Sequence, residues 1–327
     1  MYATGNKKML NMLILEILRK YTDEEHSLTQ QEILKLIKQN YGMECDRRSV
    51  KNNVLSLKEM GYDISMENGY RLLSREFDDV DLRILIDSVL FSKSISTKQA
   101  KDIVNRLRDM GSNYFSAKVN HVSNLPELNR TDNKQAMYAL DTINDAISSK
   151  KKIEFTYNEM KTDFKMHPKR EEKYIVNPYQ IVANNGKFYL IANYDKYDNV
   201  AHFRIDRMTD VEMLDEKVKP MKQVKGLEKG LDLPKHMAEH IYMFSGESIP
   251  IRLKTTANMM SELVDWFGKD FTILKKEDED ITIRLKCNYE AMRFWALQYG
   301  PYVEVLSPDN LRNQIKEDVK KMLEKYK

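Results

Sequence analysis

The sequence predicts an α+β protein of several domains, and three features of its pattern lead to this fold class. Apolar residues recur at helical spacing through most of residues 7–149, with one short hairpin between them. From residue 151 the spacing changes to the alternation that is typical of β-strands. Beyond residue 217 strands and helices alternate, which indicates a small α/β sandwich. The length of 327 residues suits two or three domains of ordinary size.

Residues 1–75 are predicted to form a winged helix-turn-helix domain that binds DNA. Three helices are expected, and the second carries the capping-box pair Thr29 and Glu32 at its start. Asp46 is expected to cap the third helix, which runs to residue 60. A hairpin follows with the turn Asn68-Gly69, the strongest short hairpin signal. Three helices followed by a hairpin is the order of a winged helix-turn-helix.

Residues 76–133 are predicted to be a helical linker and dimerisation region. Two helices are expected within residues 77–111, with a break at residues 94–97. Residues 112–132 have few periodic apolar positions and contain Pro126, so they are interpreted as a connector.

Residues 134–216 are predicted to form a ligand-sensing domain, with one helix followed by four or five short strands of a small β-barrel. Two of these strands, residues 187–194 and 200–208, flank an Asp198-Asn199 turn. Residues 217–327 form the last predicted domain. Its first part, residues 217–235, is charged and glycine-containing and is interpreted as a linker that precedes the α/β sandwich.

Composition excludes several classes of protein. Charged residues make up 31% and hydrophobic residues 42% of the chain, as in soluble globular proteins. The net charge is only +3, so nucleic-acid binding must depend on local basic patches. Cys45 and Cys287 lie far apart and provide no disulfide framework, which fits a cytoplasmic protein. No stretch predicts a membrane span, a signal peptide or a cofactor motif.

The third helix is the candidate recognition helix, because polar and basic side chains crowd its first two turns. Arginine pairs with guanine and asparagine with adenine in bidentate fashion, whereas lysine and serine usually contact phosphate. The alternative is a solvated polar helix face. Two residues of the hairpin wing are added as candidate phosphate contacts, although a wing often only covers the core. The candidate DNA-binding residues are Arg47, Arg48, Ser49, Lys51, Asn52, Asn53, Tyr70 and Arg71.

Three stretches resemble one family of regulators. DRRSVKNNVLSLKEMGYDI resembles the recognition helix of DeoR-like winged-helix regulators. VNPYQIVANNGKFYLIANYD and HFRIDRM resemble the signature of the WYL domain, with Phe188-Tyr189-Leu190 in place of its Trp-Tyr-Leu tripeptide. ALQYGPYVEVLSPDNLRNQIKEDVKKMLEKY resembles the C-terminal extension that commonly follows a WYL domain. The resemblance implies a bacterial transcription factor, commonly a homodimer, with an Sm-like β-barrel that binds a ligand, often nucleic acid.

The resemblance and the chemistry of the strands together give a candidate effector surface. The family commonly has an arginine where this chain has Ala201, and nearby cations are expected to compensate. Cations suit phosphates and aromatic rings suit bases, so a nucleotide or a single-stranded oligonucleotide is the expected anionic effector. Asp206 next to Arg207 favours a structural ion pair for that arginine, which leaves Arg204 as the preferred ligand residue. The candidate effector-binding residues are Tyr189, His202, Arg204, Arg207, Tyr157, Tyr179, Lys169, Arg170 and Lys187.

Catalysis is not expected, because the sequence offers no paired carboxylates, no phosphate loop and no metal motif. His236 and His240 are spaced i,i+4, but no Glu follows His236, so they are interpreted as a solvated surface pair. One alternative function stays open at this point. An accessory protein of this family could hold RNA or single-stranded DNA and modulate a phage-defence nuclease such as a CRISPR enzyme. That role needs no winged helix, so the recognition helix favours the regulator.

Overall fold

A computed structural model describes residues 9–119, 133 and 135–327, which fall into two compact units, Met1–Asp132 and Asn133–Lys327. The α+β class is confirmed. The first unit begins with helices α1 (Leu10–Tyr21), α2 (Gln30–Tyr41) and α3 (Arg47–Glu59). Thr29 and Glu32 form the predicted capping box of α2, and the Asp46 carboxylate accepts from the Ser49 N–H to cap α3. Each helix contributes fully buried isoleucine, leucine or valine side chains to one core.

A short hairpin follows α3 and closes this core. Strands β1 (Ile64–Ser65) and β2 (Arg71–Leu72) pair antiparallel around the predicted Asn68-Gly69 turn. Both turn residues have positive φ, 54° and 116°, as the turn of a tight hairpin requires. The hairpin is held to the start of α2 by a backbone pair between Leu28 and Tyr70.

The rest of the first unit is helical. Helices α4 (Asp79–Phe91) and α5 (Thr97–Met110) match the two predicted helices and the break between them. The prediction of a connector from residue 112 is wrong at its start, because α6 (Asn113–Lys118) forms there. Ser112 caps α6, and Phe115 anchors it in the core between α4 and α5. Residues 120–132, the rest of that connector, lie outside the described residues.

The second unit starts with α7 (Ala136–Ser149), which packs on a curled antiparallel sheet. Its strands are β3 (Lys151–Met160), β4 (Met166–Pro168), β5 (Tyr174–Asn184), β6 (Lys187–Tyr194), β7 (Val200–Arg204) and β8 (Met208–Lys217). Pairing runs from β8 through β3, β5 and β6 to β7, and β4 pairs with the end of β3. Strands β7 and β8 are consecutive in the chain yet lie at opposite ends of this order, so the sheet must curl.

The prediction of one strand over residues 200–208 is wrong, since a 3-10 turn, Ile205–Arg207, separates β7 from β8. Ile205 enters the core under α7, and Asp206 turns back toward β6 and β7. Alternation alone could not reveal the turn, because the apolar positions on both sides of it keep a strand-like spacing.

Residues 217–235 also differ from the prediction, because they are packed and not a free linker. Val224 and Leu227 are fully buried against β5, β6 and β7, and α8 (Leu233–Glu239) begins within the segment. Lys219 accepts a hydrogen bond from Tyr179 Oη through its carbonyl, 2.7 Å away. The segment has many charged residues, so its sequence did not indicate the apolar face that packs on the sheet.

The chain ends in a four-stranded antiparallel sheet covered by helices. Its strands are β9 (Ser248–Thr256), β10 (Thr272–Glu277), β11 (Asp280–Asn288) and β12 (Val303–Ser307), in the order β10-β11-β9-β12. Helices α9 (Met260–Phe267), α10 (Tyr289–Gln298) and α11 (Asp309–Glu324) pack on it around the fully buried Trp295. The sequence prediction missed β10, an exposed edge strand without an apolar face. Among the described residues, no helix is both long and apolar enough to cross a membrane.

Candidate functional site

The outer face of α3 carries four of the eight candidate DNA-binding residues. Arg47, Arg48, Lys51 and Asn52 are exposed, while Val50 and Val54 hold the opposite face in the core. Among the described residues, none forms an ion pair with these arginines or with Lys51. The helix therefore presents three uncompensated positive charges and one amide at its amino-terminal half.

Ser49 and Asn53 are instead engaged within the helix. Ser49 donates its hydroxyl hydrogen to Asp46 at 3.1 Å, and Asn53 Nδ2 donates to the Ser49 carbonyl at 2.7 Å. These contacts shape the first turns of α3, and any DNA contact by either side chain has to compete with them.

The two hairpin candidates are part of the framework. The Tyr70 ring is 8% exposed, and its hydroxyl accepts from Gln30 Nε2 at 2.8 Å. Arg71 Nη1 donates to the Glu24 carbonyl at 2.8 Å, which ties β2 to the loop before α2. Tyr70 thus covers the core. This was the alternative to phosphate contact for a residue of the wing.

A buried carboxylate organises the candidate effector surface. Asp206 is 4% exposed and accepts two hydrogen bonds from Arg204, at 3.0 and 2.7 Å, and one from Lys187 at 3.0 Å. Burial alone raises the pKa of Asp206, but the hydrogen bonds and positive charges of Arg204 and Lys187 outweigh it and hold the pKa below its usual value. These three residues are called the Asp206 network below.

The ion pair that the sequence placed at Arg207 forms at Arg204 instead. Asp206 pairs with Arg204, two residues before it, and not with the adjacent Arg207. Among the described residues, none forms an ion pair with the Arg207 guanidinium. The expectation of a structural ion pair for Arg207 is therefore wrong, because the 3-10 turn directs the Asp206 carboxylate toward β6 and β7.

Two of the three candidate tyrosines adjoin this network. The Tyr157 hydroxyl accepts from the Arg204 N–H at 3.2 Å, and Tyr189 lies opposite Arg204 in the pairing of β6 with β7. Burial raises the pKa of both phenols, so both are neutral donors near pH 7. Tyr179 lies apart, 5% exposed, with its hydroxyl donated to the Lys219 carbonyl.

The two remaining cations, Arg170 and Lys169, differ in how far their side chains are engaged in contacts within the protein. Arg170 lies 3.5 Å above the Tyr174 ring and donates to the carbonyls of Glu172 and Lys173, so it braces the loop before β5. Lys169 is exposed, and its N–H donates to the Tyr157 carbonyl at 2.8 Å. Asn158 follows Tyr157 on β3, and its side-chain amide donates to the Arg207 carbonyl. The backbones of Lys169 and Arg207 therefore lie beside the same part of β3.

His202 is not at this surface but in a buried cluster. Its Nε2 lies 2.8 Å from Nε2 of His236, and its Nδ1 lies 3.1 Å from the Phe244 carbonyl. His236 and His240 are 7% and 5% exposed, so the expectation of a solvated pair is wrong. Burial lowers the pKa of all three imidazoles, that of His236 to about 3. Their i,i+4 spacing in the sequence was the signal that could have revealed a shared site.

Two family models match the second unit. The model described as WYL domain matches residues 138–213, and the model described as WCX domain matches residues 247–323. No curated protein matches the chain.

Several solved structures are similar to the chain, and they include the following two. Proteasome accessory factor B/C (PafBC) of Arthrobacter aurescens is 14% identical, with 98% of this chain and 49% of that chain covered and a TM-score of 0.32. The chain thus spans about half the length of that relative. A protein described as CRISPR Cas-related is 16% identical, with 77% of this chain and 75% of that chain covered and a TM-score of 0.42. The second unit thus contains a stretch that matches the WYL model and, after it, a stretch that matches the WCX model.

Proposed function

We propose that the chain is a cytoplasmic, DNA-binding transcriptional regulator of the bacterial type, whose WYL domain senses an anionic effector. The observation that carries the proposal is the outer face of α3. Arg47, Arg48 and Lys51 are exposed there without ion pairs to described residues, beside the exposed amide of Asn52. Uncompensated cations and amides on one helix are the groups that contact phosphates and base edges in a major groove.

The surroundings of α3 support this proposal. A five-residue connection, residues 42–46, joins α2 to α3, and the β1–β2 hairpin follows directly. This order is that of a winged helix-turn-helix, in which the second helix of the pair enters the major groove. Such domains commonly act in dimers on two half-sites, and the proposal includes a homodimer.

The effector surface in this proposal lies around the 3-10 turn, which contacts β3 and β6, and extends to the end of β4. Arg207 and Lys169 supply positive charge there, and Tyr189 supplies a partly exposed ring. Phosphates and stacked bases are complementary to those groups, so a nucleotide or a single-stranded oligonucleotide is the proposed effector. The proposed function is binding, and it assigns no catalytic residue.

Operator binding is tested with footprinting on the promoter of the protein's own gene. The double variant Arg48→Ala plus Asn52→Ala removes two groups of about 1–3 kcal/mol each, so the Kd is expected to rise at least about 30-fold. Lys58→Ala is the matched control, since Lys58 is an exposed cation at the far end of the same helix. A footprint that is equal for the wild type and the double variant would exclude α3 as the reader of DNA.

A further inference from the structure

Three histidines from two parts of the second unit converge beneath its surface. His202 lies on β7, His236 lies on α8, and His240 directly follows that helix. They are 9%, 7% and 5% exposed. Their ring centroids are 4.2–5.1 Å apart, and one nitrogen from each ring lies within 4.8 Å of the other two. These residues are called the histidine cluster.

The hydrogen bonds of two of the rings orient them in the same way. Nδ1 of His202 lies 3.1 Å from the Phe244 carbonyl, and Nδ1 of His240 lies 3.0 Å from the His236 carbonyl. A carbonyl only accepts, so Nδ1 carries the hydrogen in both rings and Nε2 carries the lone pair. A histidine that binds a metal commonly donates its other ring N–H to a carbonyl or carboxylate in this manner.

We propose that the histidine cluster is a binding site for one divalent first-row transition-metal ion of the Zn²⁺ type. Three imidazole nitrogens are the ligands that such ions prefer over Mg²⁺ or Ca²⁺. With Zn–N bonds of about 2.0–2.1 Å, tetrahedral donors stand about 3.3 Å apart. The separations in the cluster, from 2.8 Å to at most 4.8 Å, bracket that value, so small side-chain movements complete the geometry.

The cluster also has access for an ion and room for a fourth ligand. A cleft of about 400 Å³ opens on His236 and His240, and it is lined by Ser248 and by two ion pairs, Glu239 with Lys286 and Glu247 with Lys225. The Ser248 hydroxyl lies 3.4 Å from Nε2 of His240. Three protein ligands with one open position suit a water molecule as the fourth ligand.

An ion at this site would link two segments of the chain. Without the ion, packing and hydrogen bonds hold these segments together. His202 belongs to the sheet of the WYL domain, whereas α8 belongs to the segment between the WYL and WCX domains. His202 and Arg204 are two residues apart on β7 and therefore point to the same face of the sheet. The metal thus fixes the strand that carries Arg204.

The test uses the full-length chain without an affinity tag, stripped of metal with EDTA and dialysed. Zn²⁺ is titrated in competition with a chromophoric chelator, and Co²⁺ is titrated with its visible absorption as the readout. We expect one ion per chain and the intense absorption of four-coordinate Co²⁺. A wild-type chain that binds no stoichiometric Zn²⁺ and gives only the weak spectrum of aqueous Co²⁺ would overturn the proposal.

Variants assign the ligands. His236→Asn and His240→Gln are each expected to weaken Zn²⁺ binding at least about 100-fold, because loss of an outer-shell partner alone weakens it about 10–100-fold. His167→Gln is the matched control, since His167 is a partly exposed histidine paired with Asp163 outside the cluster. Unchanged Zn²⁺ affinity in both cluster variants contradicts the proposal, and the wild-type titrations decide it even where a variant fails to fold.

Discussion

Arg204 and Arg207 lie three residues apart, and alanine substitutions at these positions are expected to have opposite effects. Arg204 is bound to a carboxylate that is 4% exposed, whereas Arg207 has no ion pair with any described residue. Arg204→Ala is therefore expected to lower stability, and Arg207→Ala to weaken effector binding.

The magnitudes follow from burial. Removing one partner of a buried ion pair costs about 3–5 kcal/mol, and Lys187 remains on Asp206 after Arg204→Ala, so the lower end, about 3 kcal/mol, applies. For a unit of this size that loss corresponds to a decrease in Tm of roughly 6–12 °C. Arg207 is half-buried and has no ion pair with a described residue, so Arg207→Ala is expected to lower Tm by much less than Arg204→Ala.

Binding is expected to show the reverse order. A hydrogen bond to a charged group contributes about 1.5–3 kcal/mol, so Arg207→Ala raises the Kd for a short single-stranded oligonucleotide roughly tenfold or more. Loss of one phosphate contact also reduces the steepness of the negative slope of log K against log salt by about 0.7. A loss of folded protein would reduce the amount of binding without changing this salt dependence. The salt dependence therefore distinguishes a lost phosphate contact from unfolding.

Two assays separate these effects. Fluorescence anisotropy across a salt series measures binding, and calorimetry with tryptophan fluorescence measures unfolding. Both tryptophans, Trp266 and Trp295, lie in the second unit, so their emission reports that unit. The reasoning is refuted if Arg204→Ala melts like the wild type and loses oligonucleotide binding while Arg207→Ala binds normally.

Three further substitutions or conditions test the fold. Gly69→Ala is expected to lower stability by about 2 kcal/mol in thermal unfolding followed by circular dichroism, because φ is 116° and the new Cβ lies 2.7 Å from Ser27 Oγ. Tyr179→Phe leaves the Lys219 carbonyl without its donor and is expected to cost about 1–2 kcal/mol in urea unfolding. In EDTA, the second unit is expected to lose stability as the pH falls below about 6.5, by up to about 1.4 kcal/mol per pH unit for each buried histidine. The sign follows because the folded-state pKa of His236 is lowered, so the unfolded chain binds more protons in acid. His236→Asn is expected to reduce this dependence, and tryptophan-detected melts at pH 7 and pH 5 measure it.

Signals carried by neighbouring residues predicted the local structure well. The capping box of Thr29 and Glu32, the cap at Asp46 and the Asn68-Gly69 turn are all present. Each depends on a hydrogen bond or a backbone angle within a few residues, which the sequence contains directly. The change from helical to alternating spacing likewise separated α7 from β3.

Pairings between distant residues could not be predicted in the same way. Asp206 chooses between two arginines through the geometry of a 3-10 turn, and adjacency in sequence favoured the wrong one. His202 meets His236 across 34 positions only because residues 217–235 fold back over the sheet. That segment looked like a linker, because its charged residues outnumber the few apolar side chains that attach it.

Strand β7 carries groups from both candidate sites of the second unit. His202 and Arg204 lie on one face of it, opposite Ile191 and Tyr189 of β6. An ion that holds His202 limits the movement of Arg204, and Arg204 fixes the carboxylate next to Arg207. The anionic effector can bind more tightly when β7 is held in one placement than in another. In that case, metal occupancy and effector affinity are coupled. Reciprocity then requires each ligand to change the affinity of the other by the same factor, so the histidine cluster would act on the effector surface without contacting the effector.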